Sequence, residues 1–198
     1  MTHLESYINK MKEGQILFVS DLSPIYGNEK VASRALSTEE KRGNIVRLSN
    51  GMYLRPKVTR FGPLYPTIDE MIATIAKRDK AQVLPCGATA LNMLGLSTQV
   101  PTKYTFLTTG SGRTLRIGNR TIELKRSVPR NFAYQTKLAA LLVQALKSLG
   151  ADNITDTEIS VIRDLVGKET NKKALTNDIS MMPAWMKKLL LTNTKVEI

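Results

Sequence analysis

The sequence predicts an α+β protein in two parts, and three observations carry that assignment. Residues 28–56 pass from a helical rhythm into two β-prone runs joined by Asn50-Gly51. Residues 56–66 break both rhythms with three prolines, and residues 103–127 alternate apolar and polar side chains before the chain turns helical from Ala133. The expected layout is an N-terminal domain over residues 1–60, then an α+β domain over residues 67–198 with a small antiparallel sheet and a helical C-terminus.

In the first domain, Leu4, Tyr7, Ile8 and Met11 recur at i, i+3, i+4 and i+7 over residues 3–13, with Gly14 where such a helix stops. "ILFV" reads as a short strand, and Ser20 or Asp21 can cap a second short helix ending near Gly27. The third helix, from Asn28 to about Lys41, is the informative one. Turning by about 100° per residue, it places Lys30, Arg34, Ser37 and Lys41 in one stripe, with Val31, Ala32, Ala35 and Leu36 on the other side. Such a helix can rest on a core while offering its cations to a major groove.

Arg42 and then Gly43 end that helix, and "IVRLSNGMYLRP" follows as a hairpin whose Asn50-Gly51 suits the positive φ angles of a tight turn. Arg47 and Arg55 lie on its two strands, with Lys57 and Arg60 beyond, so the hairpin can hold phosphates beside the groove. Helix, strand, helix, helix, hairpin is the order of a winged helix-turn-helix. The expected DNA-contacting set is Lys30, Arg34, Ser37, Lys41, Arg42, Arg47, Asn50, Arg55 and Lys57. The competing reading is an ordinary solvated face, because exposed helices commonly carry basic stripes.

"PKVTRFGPLYP", residues 56–66, reads as a semi-rigid connector. Thr67 and Glu70 then form a capping box for a helix to about Lys77. "VLPCGATALNMLGL" suggests a strand, a turn at Pro85-Cys86-Gly87 and a helix ending at Gly95, and residues 103–127 suggest an antiparallel meander with turns at Gly110 to Gly112 and at Gly118-Asn119. Leu138, Leu141, Leu142, Ala145 and Leu149 form one helical stripe, Thr155 with Glu158 caps the next helix, and residues 172–192 should add one or two more.

Composition narrows the chemistry. Among 198 residues, 29 Lys and Arg face 17 Asp and Glu, a net charge of +12 that must lie mostly on the surface and favours a polyanionic partner, nucleic acid first. One cysteine and one histidine, Cys86 and His3, make metal hydrolases and histidine triads poor readings, and neither a metal nor a cofactor is expected. No segment has the apolar core of a signal peptide or the length of a membrane span, so a soluble cytoplasmic protein is expected. Cys86 reads as a packing residue, and "GSGRT" as a hairpin turn rather than a phosphate cradle, since a strand-like run follows it. The Met- and Trp-containing "SMMPAWMKKLLL" reads as core.

Residues 103–130 carry Lys103, Arg113, Arg116, Arg120, Lys125, Arg126 and Arg130 against Glu123 alone, a net +6. Arg113, Arg116, Arg120, Lys125 and Arg126 form a candidate second basic surface, for further DNA contact or for an acidic partner.

The hairpin run "RLSNGMYLRPKVTRFGPLYP" and, above all, "GATALNMLGLSTQVPTKYTFLTTG" resemble the AbiEi-type antitoxins of bacterial AbiE abortive-infection systems. The resemblance is strongest from about residue 28 to 126, and the last forty residues carry no matched motif. It implies a winged helix that represses its own operon by binding double-stranded operator DNA, with inverted repeats, and a second domain that neutralises a nucleotidyltransferase-like toxin in a phage-defence operon. It also implies Lys30, Arg34, Ser37 and Lys41 as the recognition stripe and Arg47 and Arg55 as wing contacts. A winged-helix regulator with a small-molecule effector domain is the alternative. An enzyme acting on nucleic acid ranks last, because the carboxylates are scattered.

Overall fold

Helix α1 (His3–Lys10) buries Leu4 and Ile8 in a core completed by Leu17, Leu22, Ala32, Leu36, Ile45 and Tyr53. Strand β1 (Ile16–Phe18) follows, and at its end Asp21 Oδ2 accepts the Phe18 N–H at 3.0 Å. Asp21 thus braces a 3-10 turn (Val19–Leu22), and helix α2 (Ser23–Tyr26), which was expected to have a Ser20 or Asp21 cap, has no side-chain cap at all. Gly27 stops α2 with a left-handed φ of 63° that a Cβ would strain.

Helix α3 (Glu29–Lys41) starts at Asn28, whose Oδ1 accepts the Lys30 N–H at 2.8 Å. Ala32 and Leu36 are fully buried, whereas Val31, expected on the same side, is 46% exposed. The buried arc is centred between Leu36 and Glu39, which turns Val31 past its rim. Strands β2 (Val46–Ser49) and β3 (Met52–Leu54) pair antiparallel, and β3 also pairs with β1, giving the order β1-β3-β2. Gly51 takes a φ of 71° while Asn50 does not, since Lys80 is the only non-glycine with positive φ among the described residues. A register slip between Arg47 and Ser49 supplies the local twist that a second left-handed residue would otherwise provide.

The segment expected to be a connector is a second hairpin, β4 (Lys57–Thr59) with β5 (Gly62–Leu64). Three-residue strands around a two-residue turn are too short to show an alternation, which is why the prolines dominated the reading. Helix α4 (Ile68–Asp79) begins at the expected capping box: the Thr67 N–H donates to Glu70 Oε2 at 2.8 Å and the Glu70 N–H to Thr67 Oγ1 at 3.2 Å. The backbone hydrogen bond from Thr67, then that from its hydroxyl, holds the Glu70 carboxyl below its ordinary range. That contribution is present above the ordinary carboxylate range and fades as pH falls through the lowered folded value.

The structure, a computed structural model, describes residues 3–194, and contacts divide them into two units. One runs to Asp79 and includes Thr114–Ile122; the other holds Lys80–Arg113 and the chain from Glu123. The boundary expected at residues 60–67 therefore falls inside the first unit. Near the end of α4, Arg78 lies 3.7 Å over the Phe18 ring and donates to Ser20 Oγ at 2.7 Å, tying the helix to β1.

Strand β6 (Val83–Pro85), helix α5 (Ala88–Met93) and strands β7 (Lys103–Thr108), β8 (Arg113–Ile117) and β9 (Arg120–Arg126) follow, in the sheet order β6-β7-β9-β8. A meander would put β8 in the middle; β9 takes that place, so Gly110 to Gly112 is a crossing connection and not the hairpin turn expected. Gly112 is needed there, because a Cβ would lie 3.2 Å from the Leu124 carbonyl oxygen.

Helices α6 (Lys137–Leu149), α7 (Asp156–Lys168), α8 (Lys172–Met181) and α9 (Ala184–Thr194) enclose a core of Leu142, Leu146, Ile162, Leu175, Met186 and Leu190. Thr155 and Glu158 form the expected capping box on α7. Met182 and Met186 are buried, Trp185 packs against the core and Met181 is 45% exposed. The helical reading to the chain's end extends to residues 195–198, which lie outside the described residues. The fold is mixed α+β with small antiparallel sheets, and among the described residues no helix is long and apolar enough to cross a membrane.

The second unit has a polar keystone. Asp178 on α8 is wholly buried and accepts from the Gln135 N–H at 2.8 Å, the Thr136 N–H at 2.8 Å and the Thr136 hydroxyl at 2.7 Å, just where Thr136 caps α6. Asp178→Ala strands these donors and should lower the unfolding free energy by about 3 kcal/mol, read by equilibrium denaturation with urea.

Candidate nucleic-acid interface

The outer face of α3 carries Lys30, Arg34 and Lys41, all exposed and none paired with a carboxylate among the described residues. Ser37 is half-buried at the edge of this face. Thr38, which the stripe did not include, is exposed beside Arg34 and donates from Oγ1 to the Arg34 carbonyl at 3.2 Å. Its position four residues after Arg34 was the available signal.

The inner face fixes the orientation of the outer one. Glu39, 2% exposed, accepts from Arg42 Nη1 at 2.9 Å and from Asn44 Nδ2 at 2.7 Å, and Arg42 also pairs with Glu5 on α1. Arg42 is thereby committed to holding α3 against α1, which departs from its expected DNA-facing role. Arg55 departs further: its Nη1 donates to the carbonyls of Ile8 at 2.7 Å and Asn9 at 2.8 Å, and to that of Met11. These carbonyls lie at and just past the end of α1, so Arg55, directly after β3, acts as a side-chain cap rather than as a wing contact.

Arg47 stays exposed on β2, where its Nη2 donates to Asn50 Oδ1 at 3.2 Å and its Nε to the Ser49 carbonyl at 3.4 Å. This sets Arg47 and Asn50 together at the β2–β3 turn. The first turn of α3 and that hairpin turn line one shallow cleft of about 260 Å³, through Glu29, Lys30 and Ser33 on one side and Asn50 and Gly51 on the other. Lys57 is exposed at the start of β4.

The second basic surface is less uniform than its charge count. Lys103 and Lys125 pair with Glu123 at 2.9 and 3.5 Å, and hydrogen bonding to Lys103 is the largest cause that holds the Glu123 carboxyl below its ordinary range. Arg113 is half-buried, in line on β8 with buried Leu115 and Ile117, because side chains two apart share a face. Arg116, Arg120 and Arg126 are exposed, the first two within the first unit and Arg126 in the second.

Cys86 is half-buried; its thiol donates to the Thr105 carbonyl at 3.6 Å, and burial raises its pKa, which weakens it as a nucleophile. Among the described residues no group of three or more His, Cys, Asp or Glu lies together as metal ligands. Within the second unit a cleft of about 460 Å³ has an apolar lining that includes Leu84, Met93, Phe132 and Leu141, with Gln82, Gln135, Thr136 and Lys137 as polar groups.

The division between structural and outward-facing cations is measurable. Arg42→Ala and Arg55→Ala should each lower stability by about 2 kcal/mol, since both leave partly buried acceptors unmatched. Arg34→Ala and Lys41→Ala should stay within about 0.5 kcal/mol of the parent. Denaturant titration of the four variants gives the comparison. A search of curated proteins finds no match to this chain. Residues 3–174 match a family of unknown function, DUF6088, and the chain belongs to that family.

Proposed function

We propose that this protein is a DNA-binding transcriptional autorepressor whose first unit is a winged helix-turn-helix, and that it serves as the antitoxin to a nucleotidyltransferase-like toxin in a phage-defence operon. The observation that carries the DNA-binding part is the outer face of α3. Lys30, Arg34 and Lys41 project together from a helix whose Ala32 and Leu36 are fully buried, beside a hairpin turn that carries Arg47 and Asn50. An Arg can donate two hydrogen bonds to one guanine edge, while Lys30, Lys41 and Arg47 neutralise phosphates around it.

The element order supports the winged-helix reading: α1, β1, α2, α3 and then the β2–β3 hairpin, with β1 closing the sheet against β3. In this reading α3 enters the major groove and the β2–β3 turn follows the adjacent backbone. The antitoxin role rests on the resemblance of "GATALNMLGLSTQVPTKYTFLTTG" and assigns neutralisation to the second unit, without an enzymatic step or a cofactor. Double-stranded operator DNA is the partner, the toxin is a functional counterpart, and the working compartment is the cytoplasm.

One observation favours a second reading, a regulator controlled by a small molecule. The 460 Å³ cleft combines an apolar lining with a few polar groups, the amides of Gln82 and Gln135, Thr136 and the cation of Lys137, a composition that suits a small organic ligand.

The full chain should bind duplex DNA from upstream of its own gene, with affinity falling steeply as salt rises, by a log–log slope of about 0.9 per phosphate contact. Arg34→Ala should lose roughly 1 to 3 kcal/mol on that sequence and much less on random duplex, while Arg47→Ala should weaken both alike. Fluorescence anisotropy across a salt series measures both, and salt-independent binding would remove the DNA reading. Co-expression with the adjacent gene tests the antitoxin role: that gene should arrest growth, and the full chain should restore it. If no adjacent gene arrests growth and a metabolite shifts DNA affinity, the effector-controlled regulator takes its place.

A further inference from the structure

The β4–β5 hairpin has no place in the recognition-helix account, yet it exposes the most apolar surface of the first unit. Phe61 is 86% exposed at its tip, with Val58 74% and Leu64 57% exposed along its strands. The hairpin forms a sheet of two strands only, so these residues face no third strand.

The tip is also built to hold its shape. Thr59 Oγ1 donates to the Gly62 carbonyl at 2.8 Å and accepts the Phe61 N–H at 3.2 Å, which locks the two-residue turn. Arg60 lies 4.6 Å from the Phe61 ring centroid, a cation stacked on an aromatic face and presented to solvent. Residues 41–68 contain six Lys and Arg and neither Asp nor Glu, and with Arg42 and Arg55 engaged in structural contacts, Lys41, Arg47, Lys57 and Arg60 remain as its exposed cations. Exposed charge of one sign around an apolar tip suits a polyanion.

We propose that this hairpin is a wedge for duplex DNA: Phe61 inserts between adjacent base pairs from a groove, while Arg60 and Lys57 hold the flanking phosphates. The inference rests on the DNA-binding reading and adds to it a contact that needs no base-specific hydrogen bond. An aromatic side chain replaces part of the stacking it disrupts, and apolar wedges of this kind unstack one base step at a time. Only two residues separate β3 from β4, so the hairpin follows closely in the chain on the sheet that carries the β2–β3 turn.

The test uses the full chain and duplexes from upstream of its own gene, each with 2-aminopurine at a different adenine. The parent protein should raise 2-aminopurine emission at one step, the mark of a locally unstacked base. Phe61→Ala should abolish that rise and weaken binding by roughly 5- to 100-fold, the range for losing one aromatic–base stack. Phe61→Leu should retain part of the emission, because an aliphatic wedge still separates the step. Arg34→Ala should weaken binding yet leave the emission intact at saturating protein.

If Phe61→Ala binds as tightly as the parent with unchanged emission, the wedge is overturned while DNA binding stands. If Phe61→Ala binds DNA normally but no longer restores growth against the adjacent gene, the hairpin docks a protein, and the wedge is again overturned. If the parent chain binds no duplex, both readings fall together. Matching thermal unfolding of the parent and Phe61→Ala, expected for so exposed a ring, excludes misfolding as the cause of any loss.

Discussion

The buried carboxylate of Glu39 is the constraint on which the first unit turns. A charge at 2% exposure is tolerable only when it is matched, and Arg42 and Asn44 match it. Because Arg42 also reaches Glu5, the same network joins the end of α3 to α1 and, through Asn44, to the residues that lead into β2. The rotation of α3 about its own axis follows: with Glu39, Leu36 and Ala32 inward, Lys30, Arg34 and Lys41 have only the solvent side to occupy.

Arg55 does for the sheet what Arg42 does for the helix. Its guanidinium gathers the terminal carbonyls of α1, so the start of the chain and the last strand of the three-stranded sheet are held as one piece. The cations of this unit thus divide by physical role. Those facing helix-end carbonyls or a buried carboxylate are spent on architecture, and Lys30, Arg34, Lys41 and Arg47 stay exposed as the outward charge. A net charge cannot distinguish the two, since each adds one to the total.

The basic run of residues 103–130 shows the same division. Glu123 takes up Lys103 and Lys125, the pleat sets Arg113 on the same face of β8 as Leu115 and Ile117, and Arg116, Arg120 and Arg126 keep their exposure. In the helical part, Asp178 again resolves a backbone problem, satisfying the two N–H groups that precede α6. Arg55 and Asp178 both act at a helix end, which is where backbone donors and acceptors lose their regular partners.

Much of this was legible in the chain itself. Local chemistry determined the α3 helix from Asn28, the Gly51 turn, both Thr-Glu capping boxes and the stripe of Lys30, Arg34 and Lys41, because each depends on residues within a few positions of one another. The mixed α+β class follows from the same periodicities. Only the tertiary structure decided that Arg42 bridges Glu39 and Glu5 and that Arg55 reaches the carbonyls at the end of α1, that residues 57–64 are a hairpin with Phe61 at its tip, that α4 belongs with the first unit, and that β9 rather than β8 lies at the centre of its sheet. The hairpin's three-residue strands are too short to show an alternation, and the other three share one physical reason. Arg55 and its acceptors are more than forty residues apart, and strand order concerns which edges meet; side-chain periodicity records which face of an element is buried, but not what lies across from it.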